Sequence, residues 1–122
     1  MNATRNLPRL SSLLFLLLFP LVSLAHVHLD KSIPAKGERV SPAPESVKLW
    51  FSGGVETEWS KIKVTDADGA RVDKGEISHI GGEASALEIK LKVLPAGAYK
   101  VKWNVVAHDG HRIKGSSTFD VE

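Results

Sequence analysis

Cysteine is absent from this chain of 122 residues, and its one methionine is Met1. Without thiols no disulfide can staple the fold, so stability has to come from packing and backbone pairing. With no thiolate and a single thioether, at Met1, a metal site built for soft ions lacks a ligand set as well. Charge of one sign is also missing: 16 Lys+Arg stand against 14 Asp+Glu. Arg5 and Arg9 fall in the first 25 residues, which hold no acid, so the remainder is balanced. No run of Lys and Arg with interleaved aromatics occurs, which argues against nucleic acid as a partner. Helical periodicity is hard to find, and long apolar runs are confined to the beginning of the chain.

That opening stretch reads as a secretory leader over residues 1–25. Arg5 and Arg9 form a positive n-region, and Leu10 to Leu18 is apolar apart from Ser11 and Ser12. Pro20 breaks the run, and Ser23-Leu24-Ala25 places small residues at the −3 and −1 positions of a peptidase site. The run is short for a membrane span of roughly 20 residues, and no lipobox cysteine offers a lipid anchor. Cleavage after Ala25 leaves an exported, soluble domain over residues 26–122 that begins with histidine. The free α-amine and the imidazole Nδ1 of such a residue can chelate one metal ion, which an internal histidine cannot do while its amide keeps its proton.

From His26 onward the pattern alternates with period 2. His26 to Lys31 alternates, Ile33 to Gly37 turns, and Val47-Lys48-Leu49-Trp50-Phe51 is a strand ended by Gly53-Gly54. Glu56 to Ser60 reads as a loop or a helical turn. Ile62 to Thr65 and Arg71 to Lys74 flank a hairpin turn at Asp66-Ala67-Asp68-Gly69, and Ser78 to Ser85 reads as a loop. Ala86 to Val93 puts Leu87, Ile89, Leu91 and Val93 on one face, and Tyr99 to Val105 turns Tyr99, Val101, Trp103 and Val105 inward. Ser117 to Val121 closes the chain. Trp50, Trp59 and Trp103 are expected core material. About seven short strands in a domain of this size predict an all-β, Ig-like Greek-key sandwich, with a tyrosine corner at Leu94-Pro95-Ala96-Gly97-Ala98-Tyr99.

Five histidines punctuate this pattern: His26, His28, His79, His108 and His111. A lone histidine in a strand protein is usually a solvated polar residue, so clustering carries the argument. Asp109 and His111, two apart around Gly110, project a carboxylate and an imidazole from one rim of the sandwich. Together with the amine and imidazole of His26 they offer three nitrogens and one oxygen. Tetragonal N/O coordination is the preference of Cu(II), which heads the divalent affinity order, and zinc is the competing ion. His28 and His108 adjoin these ligands, as further donors or as solvated side chains.

Several stretches resemble the CopC family of periplasmic copper-resistance and copper-trafficking proteins. They are His26 at the new N-terminus, Ser32-Ile33-Pro34-Ala35-Lys36-Gly37, Leu49-Trp50-Phe51-Ser52, Leu94 through Trp103, and Asp109-Gly110-His111 with Gly115, Phe119 and Val121. The resemblance implies one Cu(II) per chain, held by the amine and side chain of His26 with Asp109 and His111. It implies a carrier or buffer in copper homeostasis, acting as a monomer in the periplasm and delivering to a CopD-type inner-membrane protein. Two departures stand out. The methionine-rich Cu(I) loop of some members is absent, and Gly53 stands where some members place a glutamate near the metal. Two other readings compete: a small histidine-brace copper redox enzyme, and an Ig-like interaction module with incidental histidines. Against the enzyme, Asp109 fills the position where oxygen would be activated.

Overall fold

Alternation becomes strand wherever it persists. The computed structural model describes Leu18 and residues 26–122, and among these residues it contains eight strands. In chain order they are β1 (Leu29–Ile33), β2 (Glu38–Val40), β3 (Ser46–Phe51), β4 (Val55–Thr65), β5 (Asp73–Ile80), β6 (Glu83–Leu91), β7 (Gly97–Ala107) and β8 (Arg112–Val121). The predicted leader and its cleavage site lie outside the described residues, Leu18 apart. No helix among the described residues is long and apolar enough to cross a membrane.

The strands form two four-stranded sheets, ordered β1-β3-β6-β5 and β2-β8-β7-β4. All neighbours are antiparallel except β2 and β8, which run parallel. The inward faces meet in one core built from the predicted alternations: Val47, Leu49 and Phe51; Leu87, Ile89 and Leu91; Tyr99, Val101, Trp103 and Val105; Phe119 and Val121. Two sheets covering each other's apolar faces make the β-sandwich expected from the pattern. The tyrosine corner is present, with the Tyr99 hydroxyl donating to the Pro95 carbonyl at 2.6 Å.

Several local expectations are corrected. The eighth strand is β2, only three residues long and without alternation of its own. It exists because its backbone pairs with the tail of β8. Ser78 to Ser85 is no loop: Gly81 and Gly82 both take positive φ, and that pair folds β5 onto β6 as a two-residue hairpin. Glu56 to Ser60 is the first half of β4, where pairing with β7 is interrupted between Glu56 and Lys61. Buried Ser60 spans that bulge, donating to the Glu56 carbonyl and accepting from the Val106 amide. The Asp66–Gly69 turn forms, but the returning chain stays beside β4 only briefly. It crosses to the other sheet at Asp73, a buried carboxylate that accepts from the amides of Val64 and Gly75 and from Arg71. Val93 is 97% exposed because the chain leaves β6 after Leu91 and loses its parity; Leu94 is buried instead. Of the three tryptophans only Trp103 belongs to the core. Trp59 is 67% exposed on the bulge, and Trp50 is half-buried on the outer face under Lys31.

Candidate metal centre

The start of β1, the turn between β3 and β4 and the turn between β7 and β8 gather at one pole of the sandwich. Register requires it: Leu29 pairs with Phe51, and Val55 pairs with Ala107. The residues before β1 are tied to the end of β3, because His28 N–H donates to Ser52 Oγ and Ser52 N–H donates to the His28 carbonyl. Two glycines let these segments close up. A Cβ on Gly53 would stand 2.9 Å from a Val27 methyl, and one on Gly54 would run into the His108 ring. The β7–β8 turn closes through Gly110 N–H to the Ala107 carbonyl and Ala107 N–H to the His111 carbonyl, with Gly110 at φ +88°.

This scaffold brings His26 to His111. Their rings meet edge to face with centroids 5.4 Å apart, although the two residues come from opposite ends of the domain. Asp109 completes the group. Its Oδ2 lies 3.0 Å from His111 Nδ1, and its Oδ1 accepts the His111 backbone N–H at 2.9 Å. The side-chain bond to His111 is the main cause that holds the Asp109 carboxyl below its ordinary value of 3.8. The backbone bond acts in the same direction, burial opposes it, and the proximity of His111 and His26 lowers the value a little further. Asp109 is therefore an ionised oxygen donor at neutral pH.

The two adjoining histidines have partners of their own. His28 Nε2 is 2.8 Å from Asp30, and His108 Nε2 is 3.7 Å from Glu56. Glu56 is the residue that sequence reasoning missed. It lay in a segment of unclear type, and only the pairing of Val55 with Ala107 carries it to this pole. His79 is apart from the group, half-buried on β5 with Nδ1 against the Ala86 carbonyl.

No three His, Asp or Glu side chains among the described residues already stand in a geometry that would hold a metal ion. The carboxylate is engaged with the imidazole, and the two rings lie edge to face. Both Asp109 and His111 are more than half exposed, and exposed side chains exchange rotamers within nanoseconds. Turning Asp109 and His111 outward is thus a small rearrangement. Two imidazoles and a carboxylate make a hard-to-borderline N/O donor set that fits a divalent copper or zinc ion.

A β-sandwich with histidines and an aspartate clustered at one pole defines the class. The model of the CopC domain matches residues 29–122, and the chain belongs to that family. Copper resistance protein C of Pseudomonas syringae pv. tomato is 35% identical over 104 residues, covering 80% of this chain and 82% of that protein. Copper transport protein CutJ of Bacillus subtilis is 36% identical over 111 residues; the match takes in 89% of this chain but spans only 20% of the Bacillus protein's length. Among solved structures, CopC from Methylosinus trichosporium OB3b superimposes with a TM-score of 0.74 at 32% identity, covering 80% of this chain and 94% of that one. PcoC, a methionine-rich copper resistance protein from Escherichia coli, gives 0.69 at 32% identity, with 80% and 100% coverage.

Proposed function

We propose that the chain, once cut after Ala25, is a periplasmic Cu(II)-binding protein that carries or buffers one copper ion and releases it to a CopD-type inner-membrane protein. The ligands in this reading are the amine and imidazole of His26, the Asp109 carboxylate and the His111 imidazole. The observation that carries it is the meeting of His26 with His111 beside an ionised Asp109. The names of the relatives, which speak of copper resistance and copper transport, support copper as the cargo. PcoC is a methionine-rich protein, whereas this chain has no methionine after Met1 and no cysteine. That favours the cupric over the cuprous ion. With a carboxylate in the fourth equatorial place the site suits holding the ion rather than activating oxygen on it, so the reading is binding, not catalysis.

Native mass spectrometry of the chain beginning at His26, titrated with Cu(II), tests this. One tightly held ion per chain is expected, and the His111→Ala variant should lose it. A stoichiometry indifferent to that substitution overturns the ligand set.

A further inference from the structure

The outward face of the β4-β7-β8 sheet carries a charge pattern that metal binding does not use. Three successive rungs cross it: Lys61–Asn104–Lys114, Lys63–Lys102–Ser116 and Thr65–Lys100–Thr118. They contain five exposed lysines and no carboxylate, and Arg112 adds a sixth positive charge at the end nearest His111. Lys63 and Lys102 are directly opposed, an arrangement that costs stability in an antiparallel pair. None of the ion pairs among the described residues involves any of these lysines. The carboxylates of these strands stand at the margins: Glu56 and Glu58 at the head of β4, and Asp120 at the tail of β8.

General basicity does not explain the face, since the chain from His26 onward is balanced in charge. The other sheet also behaves differently: there Lys48 stands opposite Glu88, and Lys90 bonds the same glutamate. Between the lysines the three rungs carry only hydroxyls and an amide, and no apolar side chain.

We infer that this lysine-rich face of β4, β7 and β8 is a docking surface for an acidic polypeptide segment of a second protein. Five lysine heads spread over three rungs match the carboxylates of an extended acidic chain, whereas these rungs offer no apolar side chain to enter a bilayer. Charge complementarity of this kind steers encounter and sets register, and it is sensitive to salt. Because Arg112 follows His111 directly and Lys114 stands two residues further on, a segment lying along this face would place the rest of its protein at the histidine pole. That last consequence, hand-over of a metal, rests on the copper reading; the docking itself does not.

The experiment is fluorescence anisotropy of a labelled oligoglutamate peptide with the metal-free protein, at low and at physiological ionic strength. Binding that weakens with salt is expected. Lys63→Glu combined with Lys102→Glu should weaken it by about tenfold or more, while Lys36→Glu with Lys92→Glu, equal in net charge but off the face, should leave it nearly unchanged. Lys63→Glu alone should raise the melting temperature, because it turns a cross-strand repulsion into an attraction, while still weakening the peptide; this separates docking from misfolding. Absent binding, or equal loss in both double variants, overturns the proposal. So does tighter capture of phosphatidylglycerol–phosphatidylethanolamine vesicles that the face variant abolishes, since that would assign the face to a bilayer. Cu(II) stoichiometry should be untouched in every one of these variants, so failure here leaves the metal site standing.

Discussion

Gly54 and Gly115 are both glycines beneath a ring, yet the two sites should answer differently to the same added methyl. At Gly115 the Cβ would enter the indole of Trp103, its cross-strand partner, which is packed in the core between the sheets. At Gly54 it would meet the imidazole of His108, an exposed side chain at the histidine pole. Gly115→Ala should therefore cost about 2–3 kcal/mol, in the upper part of the range for overpacking, and Gly54→Ala well under half of that. Urea unfolding of the two variants measures the difference. Neither requirement is visible along the chain: Gly53-Gly54 reads as a strand terminator, and the close approach of Val27 and His108 arises only from the fold. At this scale the chain was most legible where alternation was long. Tyr99, Val101, Trp103 and Val105 all turn inward as their spacing predicts. Trp59, whose hydrophobicity predicts a place in the core, stands exposed on the bulge that Ser60 holds open.

Among the elements, the linker between β6 and β7 shows how a side chain can substitute for a strand. Its backbone makes no ladder, and the Tyr99 hydroxyl ties it down at Pro95. Burial first, and then the negative charge of Asp66, push the phenol above its ordinary value of 10.0. A group whose folded value is raised in this way gives stability that is whole below the unfolded value and is lost as pH rises through the folded one. Tyr99→Phe should thus cost about 1 kcal/mol at neutral pH, and its gap from the parent should narrow above pH 10 or so. Chemical denaturation at the two pH values checks both parts. The corner was readable from the Leu-Pro-Ala-Gly-Ala-Tyr spacing because its geometry is local. β2 was not, since three residues without alternation become a strand only through the backbone of β8, some eighty positions away in the chain. The bulge in β4 was hidden for a related reason: its ladder bond is replaced by Ser60, which looks like any other serine until Val106 lies beside it.

For the whole molecule, the candidate site depends on closure of the sandwich more than on any motif. Asp109 and His111 are neighbours and could be picked out as a pair. His26 joins them only because β1 pairs with β3 and β4 pairs with β7 at the same pole. Reading these three residues as ligands requires that neighbourhood, and the rings of His26 and His111 lie 5.4 Å apart. The amine is the remaining donor, and it exists only if the chain starts at His26. A chain with any residue left before His26 should bind Cu(II) weaker by orders of magnitude than the processed one, read by competition with a chelator of known affinity; equal affinities would remove the amine from the ligand set. The opposite pole has its own consequence. Val121 pairs with Gly97 at the start of β7 and with Val40 of β2, and Glu122 N–H donates to the Val40 carbonyl. The strand that ends there points away from the histidines. An affinity handle, a surface linker or a fused reporter attached after Glu122 would therefore present the histidine pole outward and unobstructed, and the orientation of the immobilised protein would be set by the topology rather than by chance.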